Sequence, residues 1–431
     1  MKFADALEYL ESLKPIRDIP GLAAMSGLCG QLLDPQDHLK CIHIAGTNGK
    51  SSVLSFLSSV LMSAGYRVGT FGSPALCDEY DRIRVNGRCM TRKVFGEGMD
   101  LIKAASDQLL ESGLPHPTKE EAVSALAFWY FDKKQCDIVI LEASVGGRED
   151  PTNVISKPMV SVITSVSMDH MNVLGKTLKE IAYQCAGIMK AGCPVVTPCQ
   201  SYEAMEVLTE EAALLQCSFV VADDSFAEKI RYRLNKQCFA YKQWKDIEIG
   251  LLGLFQIENA VLALEVLKVL QEQGLKISEV AVRKGLLKAQ CRGRFTIIGK
   301  KPLFVVDGAH NEDAAKKLAE SVNRFIPDKR IIYIVGVEKE KECEKIIAMT
   351  HQYADQIITV TPPNSQRGMS AYSLACEVAR LHPNVTAADS PEEALEISYL
   401  LARKDDVILA FGDLPCVSRI MELVGKRNGQ K

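Results

Sequence analysis

The sequence predicts an α/β protein built on mostly parallel β-sheets that helices cover on both faces. Short, almost continuously apolar runs recur along the chain, and longer stretches with helical periodicity lie between them. Strands buried on both faces are typically apolar throughout, and parallel strands need a connecting helix. The candidate strands include Lys40–Ala45, Asp137–Glu142, Val160–Ser165, Pro194–Thr197, Leu303–Asp307, Ile331–Gly336, Gln356–Thr361 and Asp406–Phe411. The candidate helices include Lys50–Ala64, Glu121–Phe131, Ile257–Gln273, Asp313–Phe325 and Pro391–Ala402.

The pattern of strands and helices restarts near Gln290–Phe295, which predicts a domain boundary. The helical stretch Ile277–Ala289 precedes this point, and Gly293 offers a flexible joint within the segment Gln290–Phe295. A chain of 431 residues is long enough for two or three domains of ~100–200 residues each. We therefore predict a larger N-terminal domain, residues 1–293, and a smaller, Rossmann-like, doubly wound C-terminal domain, residues 294–431.

The composition and the charge of the chain exclude several classes of protein. Hydrophobic residues make up 47% and charged residues 24%, which is ordinary for a globular protein with a sizeable core. The net charge of -3, from 51 basic and 54 acidic side chains, gives no bulk attraction to nucleic acid or to anionic membranes. Any anionic ligand must therefore be bound by local chemistry.

The N-terminal segment and the cysteines indicate the compartment. The first residues, MKFADALEYLESLK, mix charges and lack the apolar centre of a secretory signal. No stretch approaches the ~18 apolar residues that a membrane span needs. The 14 cysteines are scattered without a Cys-x-x-Cys pair, which indicates reduced thiols rather than disulfides or a zinc site. We therefore expect a cytoplasmic monomer without nucleic-acid or membrane partners.

A glycine-containing loop between the first candidate strand and its helix predicts a phosphate site. The segment Gly46–Ser52 reads Gly-Thr-Asn-Gly-Lys-Ser-Ser. Glycines let backbone N–H groups approach phosphate oxygens, and a helix N-terminus adds partial positive charge. Lys50 can reach the outer phosphates of a nucleotide, and the hydroxyl of Ser51 or Ser52 can bind Mg²⁺. Ile44 occupies the place of the first glycine in the strict pattern, so an ordinary tight strand-to-helix turn is the alternative interpretation.

This loop makes the N-terminal domain P-loop ATPase-like. The nucleotide contacts predicted in it are Thr47, Asn48, Gly49, Lys50, Ser51 and Ser52.

Polar side chains follow two further strands at positions suited to metal binding. Glu142 ends the strand Asp137–Glu142, and Asp169 and His170 follow the strand Val160–Ser165. The carboxyl ends of parallel strands meet at one sheet edge, where α/β proteins bind their ligands. Because Mg²⁺ prefers oxygen ligands and bridges phosphates, Glu142 is a candidate ligand beside the phosphate loop. Taken alone, Glu142 could be an ordinary strand-end residue and His170 could be structural.

A series of short motifs, in a fixed order over nearly the whole chain, forms a combined pattern. These motifs are His43–Lys50, Ser73-Pro74, Arg82–Gly87, Glu142–Asn153, Asp169-His170, Ala186–Ile188, Gln256 with Asn259-Ala260, Gly293–Phe295 and Asp307–Asn311. Together they resemble the folylpolyglutamate synthase/dihydrofolate synthase family of the Mur ligases.

The resemblance implies an ATP-dependent, ADP-forming amide ligase with ATP and Mg²⁺ as cofactors. In such an enzyme ATP phosphorylates a substrate carboxylate, and the amine of an amino acid then attacks the acyl phosphate. The implied small-molecule substrates are a folate-type carboxylate and L-glutamate. The positive charges of Lys50 and Mg²⁺ would assist the attack of the carboxylate on the γ-phosphorus.

The resemblance also assigns roles to individual residues. The implied catalytic residues are Lys50, Glu142 and His170. The implied metal ligands are Ser73, Glu142 and His170. The further nucleotide contacts are Asn259, Arg294, Asp307 and His310. The residues expected at the carboxylate substrate are Arg82, Glu121, Asp150 and Thr152.

Three departures from the family pattern concern the metal and the substrates. Cys185 replaces a lysine that is often carbamylated in the family and helps to bind a second Mg²⁺, so one metal site is expected and the second is in doubt. Lys119 and Glu120 replace an aromatic pair near the pterin ring, which favours flat apolar contacts. Asp413 replaces a serine, and its negative charge would disfavour an anionic amino acid such as glutamate.

Three functions stay open on the sequence alone. The first is a folate ligase, which adds glutamate to dihydropteroate or to folylglutamates. The second is the same chemistry on another carboxylate and amine, and the third is a nucleotide-binding protein without ligase activity. The replacement at Cys185 motivates the third function, whereas Lys50, Glu142, His170 and Asp307 argue against it.

Overall fold

The structure, a computed structural model, describes residues 1–14, 22–73, 79–339, 341–363 and 367–429. Contacts divide the chain into two units. Unit 1 contains Met1–Phe226 and Glu258–Ala289, and unit 2 contains Ala227–Ile257 and Gln290–Lys431. Among the described residues, every helix is too short or too polar to cross a lipid bilayer.

The strands of unit 1 form an eight-stranded sheet. In chain order they are β1 (Cys41–Ala45), β2 (Val68–Phe71), β3 (Ile83–Val85), β4 (Arg88–Cys89), β5 (Ile138–Glu142), β6 (Val160–Ile163), β7 (Val195–Pro198) and β8 (Phe219–Ala222). Across the sheet they follow the order β4-β3-β2-β5-β1-β6-β7-β8. Neighbours from β2 to β8 are parallel, whereas the β2–β3 and β3–β4 pairs are antiparallel. Strand β1 therefore lies between β5 and β6.

Helices cover this sheet. They are α1 (Phe3–Ser12), α2 (Ala23–Gln31), α3 (Lys50–Ser63), α4 (Arg92–Glu111), α5 (Lys119–Lys133), α6 (Met171–Leu174), α7 (Leu178–Ala186), α8 (Tyr202–Leu214), α9 (Phe255–Glu272) and α10 (Glu279–Lys288). Helix α9 begins in unit 2 and continues in unit 1. Leu141 of β5 packs in a cluster with residues of α1, α2, α4 and α5, and Ile163 of β6 packs with residues of α7 and α8.

Unit 2 contains two sheets. Its strands are β9 (Ala227–Arg233), β10 (Lys236–Tyr241), β11 (Trp244–Ile249), β12 (Thr296–Lys300), β13 (Leu303–Asp307), β14 (Ile331–Gly336), β15 (Gln356–Val360), β16 (Val385–Ala388) and β17 (Val407–Gly412). The larger sheet has the order β12-β13-β17-β14-β15-β16 and is parallel except for β12. The smaller sheet is antiparallel, with the order β11-β10-β9. The helices are α11 (Glu312–Phe325), α12 (Cys343–Thr350), α13 (Ala371–Ala379), α14 (Pro391–Leu401) and α15 (Leu414–Gly429).

The predicted α/β class with mostly parallel sheets is confirmed, and the strand limits predicted from the apolar runs differ from the observed ones by at most two residues. The small antiparallel sheet of unit 2 was not predicted, because its strands are not continuously apolar: β9 (AEKIRYR) and β11 (WKDIEI) each contain several charged residues. Tyr232 of this sheet packs edge-on against Phe325 of α11, with ring centroids 5.6 Å apart. The sequence-based boundary places these strands within residues 1–293, whereas their contacts group them with unit 2.

Helix α10 packs closely on α3, the helix that follows the glycine loop. A Cβ atom at Gly285 of α10 would lie 2.4 Å from the Cα of Val60 in α3. Ser59 of α3 donates a hydrogen bond from its hydroxyl to the Gly285 carbonyl oxygen over 2.7 Å. The missing side chain thus lets the two backbones approach each other, and the packing fixes α3 against the rest of unit 1.

Replacing Gly285 by alanine is expected to destabilise unit 1. Alanine normally stabilises a helix interior by about 1 kcal/mol relative to glycine. Here overpacking against Val60 should cost roughly 1–3 kcal/mol, so the net change should be a loss. The matched control is Gly425→Ala in α15, where a Cβ meets no described heavy atom within 4 Å. Urea unfolding of both variants measures the difference, and a Gly285→Ala midpoint at or above that of Gly425→Ala would refute this view of the packing.

Candidate active site

The loop between β1 and α3 has a conformation that only glycine adopts easily at two positions. Gly46 and Gly49 have φ angles of 132° and 93°, in the region that disfavours side chains. A Cβ at Gly46 would lie 2.2 Å from the hydroxyl oxygen of Thr164, and a Cβ at Gly49 would lie 2.4 Å from Oδ1 of Asn259. The predicted nucleotide contact Asn259 therefore lies directly beside the predicted phosphate loop.

The residues between the two glycines are held by the segment after β6. The N–H groups of Thr47 and Asn48 donate to the Ser165 carbonyl oxygen over 2.8 and 3.3 Å. The Thr47 hydroxyl donates to the Ser167 carbonyl oxygen and accepts from the Ser167 N–H, both over 3.0 Å. Because these two amides serve the loop itself, a phosphate would be bound chiefly by the N–H groups of the first turn of α3, which starts at Lys50.

Lys50 provides the positive charge of this loop. Its ammonium group donates to the carbonyl oxygens of Gly46 and Thr47 over 2.7 and 3.1 Å. Cys185 of α7 is buried nearby, and burial raises the pKa of its thiol to about 11, against the opposing effects of the Lys50 charge and the Gly46 N–H. Cys185 therefore carries a neutral thiol and supplies neither a carboxylate nor an amine at this place.

The predicted metal ligand Glu142 lies beside the start of α3. It ends β5 opposite Ile44 of β1, and its side chain is buried. The Ser51 hydroxyl donates to Oε1 of Glu142 over 2.9 Å. On the other side, a Cβ at Gly72 would lie 3.7 Å from Oε2 of Glu142, so the segment with Ser73 passes close to this carboxylate. Glu142, Ser51 and Ser73 thus offer hard oxygen donors of the kind that Mg²⁺ prefers.

The third predicted metal ligand, His170, comes from the other side of β1. It follows β6, starts α6 with a left-handed φ of 47°, and is exposed. Its backbone N–H donates to the Asp169 carboxylate over 2.8 Å. No cluster of three or more His, Cys, Asp and Glu side chains suited to a metal occurs among the described residues. A magnesium site does not need one, because Mg²⁺ keeps several waters and takes one or two carboxylates.

Four residues predicted at the carboxylate substrate are buried and bound to other protein groups. Arg82 forms ion pairs with Glu120 and Glu79. Glu121 caps α5, because its carboxylate accepts from the Thr118 N–H over 2.7 Å and the Thr118 hydroxyl accepts from the Glu121 N–H. All four thus make contacts within unit 1, and their contact with a substrate stays a prediction.

Asp150 and Thr152 belong to a hydrogen-bonded chain that ends at β1. The Asp150 carboxylate accepts from the N–H groups of Ser144 and Thr152 over 2.7 and 3.0 Å. The Thr152 hydroxyl lies 2.8 Å from Nε2 of His43 in the middle of β1. Burial lowers the pKa of His43 to about 3, so its ring is neutral. Sequence reasoning did not single out Ser144 or the role of His43, because only the folded sheet brings these positions together.

The predicted C-terminal residues meet at the carboxyl end of β13 in unit 2. Asp307 ends this strand, and its carboxylate accepts from the Phe295 N–H over 2.7 Å. Arg294 Nη1 and His310 Nδ1 both donate to the Gly308 carbonyl oxygen, over 3.2 and 2.7 Å. Burial raises the pKa of Asp307 to about 6, and the Arg294 charge opposes this rise.

Asp413 follows β17, the neighbour of β13, at the same sheet edge. Its side chain is buried, and Oδ2 has no hydrogen-bond partner among the described residues. Burial raises the pKa of Asp413 to about 6; His310 and Lys341 oppose the rise, and Glu338 adds to it. Unit 2 therefore presents two acidic side chains, together with Arg294 and His310, at the edge where α/β sheets bind ligands.

Comparison with known proteins connects this geometry to a family. Residues 44–267 match the model of the Mur ligase middle domain, and residues 293–414 match the glutamate ligase domain of Mur ligases. The dihydrofolate synthase/folylpolyglutamate synthase of Bacillus subtilis is 31% identical, over 97% of this chain and 98% of that protein. The enzyme of the same name from Escherichia coli is 30% identical, over 99% of this chain and 97% of that protein.

Solved structures support the same relation. The Mycobacterium tuberculosis folylpolyglutamate synthase complexed with ADP has a TM-score of 0.90, 26% identity and 98% coverage of both chains. The Escherichia coli protein in complex with DHPP and ADP has a TM-score of 0.86, 26% identity and 99% coverage of both chains.

The fold and these comparisons define an ATP-dependent ligase of the Mur type, as predicted from the sequence. Within that class, the chain belongs to the folylpolyglutamate synthase/dihydrofolate synthase family. The family model of the middle domain includes residues 227–257, which the contacts of this structure group with unit 2. The domain boundary at residues 293 and 294 stays a prediction.

Replacing Gly49 by alanine is expected to weaken ADP binding at least about tenfold. The added methyl group must displace the Asn259 side chain or the loop, which moves the amides at the start of α3. The matched control is Gly65→Ala, because Gly65 has a similar φ of 97° but a Cβ there meets no described heavy atom within 4 Å. Titration calorimetry with ADP compares the two variants. Equal affinity of both variants would mean that the loop is not the phosphate site.

Proposed function

We propose that this protein is an ADP-forming ligase that joins L-glutamate to a folate-type carboxylate through an acyl phosphate. The observation that carries the proposal is the position of the Lys50 loop beside Glu142 and Ser51, at the carboxyl edge of the unit 1 sheet. The named relatives and solved neighbours support the substrate class, since they are folylpolyglutamate and dihydrofolate synthases.

The chemistry requires this loop to stabilise charge on a transferred phosphoryl group. A carboxylate oxygen of the substrate forms a bond to the γ-phosphorus of ATP while the bond to the ADP oxygen breaks. The amine of glutamate then attacks the acyl carbon, inorganic phosphate leaves, and the amine gives up a proton. Lys50 and the amides at the start of α3 are the groups that we assign to the phosphate charge in the first step.

Mg²⁺ belongs to this proposal as the ion that neutralises phosphate charge. The residues proposed to hold it are Ser73, Glu142 and His170, and the contact of Ser51 with Glu142 supports this place. The oxygen donors of this set suit Mg²⁺. Cys185 lies beside Lys50 and Gly46 as a neutral thiol, so it does not replace a carbamylated lysine as a metal ligand. The proposal therefore contains one metal site.

Residues that are proposed to contact a nucleotide occur in each of the two units. In unit 1 they are Thr47, Asn48, Gly49, Lys50, Ser51, Ser52 and Asn259. In unit 2 they are Arg294, Asp307 and His310, which share the carboxyl end of β13. Oxygen and nitrogen groups at such strand ends are suited to hydroxyl and phosphate groups of a nucleotide.

One observation favours a second candidate, the same chemistry on a non-folate carboxylate. Glu120, which stands where the family has an aromatic residue, is ion-paired with Arg82, one of the residues expected at the substrate. A charged pair offers no flat apolar surface to a pterin ring. Arg82, Glu121, Asp150 and Thr152 are proposed to border the carboxylate substrate in either case.

The cellular setting is also a proposal. Every cysteine of the described residues is a free thiol, which supports the cytoplasmic location expected from the sequence. Small molecules are the proposed partners, and the monomeric state stays a prediction.

A substrate panel with purified protein tests the function. We expect ADP release to require ATP, Mg²⁺, glutamate and a pteroate-type carboxylate together. Lys50→Ala should lower kcat by at least about a hundredfold, because it removes the charge beside the transferred phosphoryl group. ADP release with a different acid and amine would select the second candidate. Near-normal turnover of Lys50→Ala would overturn the assignment of the loop.

The variant Asp413→Asn tests whether Asp413 lies at the site that binds glutamate. Between pH 5 and 8 the side chain of glutamate stays charged, whereas Asp413 gains its charge as the pH rises through about 6. We expect Asp413→Asn to lower the KM for glutamate about fivefold at high pH, as removal of like-charge repulsion predicts, with convergence at low pH. The matched control is Asp405→Asn, an exposed residue at the opposite end of β17. A pH-independent KM ratio between Asp413→Asn and the unmodified protein would remove Asp413 from the glutamate site.

A further inference from the structure

A largely buried ion pair joins Arg82, which directly precedes β3, to Glu120 in the first turn of α5. Arg82 donates two parallel hydrogen bonds to Glu120, from Nη1 to Oε2 over 2.8 Å and from Nη2 to Oε1 over 2.5 Å. The Arg82 side chain is 3% exposed and that of Glu120 is 21% exposed. A pair of this kind contributes little to the stability of a fold, because the free-energy penalty of removing both charges from water offsets much of their attraction. Its contacts therefore suggest another use.

Each partner of the pair holds one strand end. Arg82 Nε donates to the Gly72 carbonyl oxygen over 2.9 Å, and the Gly72 N–H donates to the Arg82 carbonyl oxygen over 3.0 Å. Ser73 follows directly after this clamp. Glu120 instead accepts from the hydroxyl of Ser144, which follows β5 two residues after Glu142. The pair thus fixes Ser73 and Ser144 relative to each other.

The hydroxyl groups form a chain with a defined direction. A carboxylate can only accept, so the single proton of the Ser144 hydroxyl is used in its 2.5 Å hydrogen bond to Glu120. The Ser144 oxygen then accepts from Arg82 Nη2 over 3.1 Å and from the Ser73 hydroxyl over 3.0 Å. The proton of Ser73 therefore points to Ser144, and the remaining lone pairs of the Ser73 oxygen point elsewhere.

We propose that Glu120 and Arg82 are positioning residues that orient the Ser73 hydroxyl so that its oxygen presents lone pairs to the cation of the nucleotide complex. The inference rests on the proposed function, in which Ser73 and Glu142 hold Mg²⁺. Glu120 acts through Ser144 and Ser73, because a fixed acceptor at the end of the chain sets the direction of every hydrogen bond in it. Groups that orient metal ligands in this way commonly change metal affinity by about 10- to 100-fold.

Glu120→Gln tests the direction of the chain. Glutamine keeps the shape of glutamate, but its amide can donate to Ser144 and so reverse both hydroxyl groups. We expect the Mg²⁺ concentration that gives half-maximal enhancement of ADP affinity to rise about tenfold or more. Calorimetric titration of ADP at several Mg²⁺ concentrations measures this without turnover.

The matched control is Glu79→Gln. Glu79 pairs with the same guanidinium over 3.2 Å and is similarly exposed, at 25%, but its ion pairs are with Arg82 and Lys119. This variant loses a neighbouring charge and leaves the hydroxyl chain in place, so its Mg²⁺ dependence should stay within about twofold of the unmodified protein. An equal shift in both variants would refute the positioning role and leave only a general effect of charge.

If Glu120→Gln fails to fold, the variant Ser144→Ala provides a second test of the positioning role. It keeps the ion pair and removes the link to Ser73, so it should raise the Mg²⁺ requirement as Glu120→Gln does. An unchanged requirement would overturn the inference. The metal site of the proposed function is tested separately, by the Mg²⁺ dependence of ADP affinity in the unmodified protein. If that affinity does not depend on Mg²⁺, the metal site itself is contradicted.

Discussion

The close approach of backbone to side chains at Gly46 and Gly49 is the constraint on which the rest of the site depends. Without Cβ atoms, the loop can pass against Thr164 on one side and Asn259 on the other. This path ends at Lys50, where α3 begins with its N–H groups directed at the sheet edge. The loop, the strand end with Glu142 and the segment after β6 then meet at one place because β1 lies between β5 and β6.

Buried polar groups organise the surroundings of this loop by satisfying one another. Asp150 accepts from two backbone amides, and the Thr152 hydroxyl links it to His43 in the centre of β1. Arg82 and Glu120 form a second connection between strand ends. Because an unpaired buried polar group is costly, such networks hold one arrangement and resist others. Residues expected to touch a substrate thus have a clear role in shaping the segments around it.

The larger sheet of unit 2 also has buried polar groups at its carboxyl edge, and two of them are acidic. Asp307 and Asp413 end or follow neighbouring strands, and burial raises the pKa of both carboxyl groups to about 6. Carboxyl groups with such values respond to small changes in nearby charge near neutral pH. At the same edge, Arg294 and His310 both oppose the rise in the pKa of Asp307. His310 also opposes the rise in the pKa of Asp413. Because burial and the nearby positive groups act in opposite directions on these two pKa values, this edge is suited to ligands that carry charge or hydroxyl groups.

The sequence by itself determined the α/β class, the glycine loop before α3 and the family, because strand burial and glycine geometry depend on residues that are close along the chain. Glu142 could be recognised in the same way, as a carboxylate at the end of an apolar strand. Only the tertiary structure decided which partners Arg82, Glu121, Asp150 and Thr152 have, and it revealed the roles of Ser144 and His43. These contacts join residues from different strands and helices, so their geometry follows from the strand order and packing, which local sequence patterns do not encode.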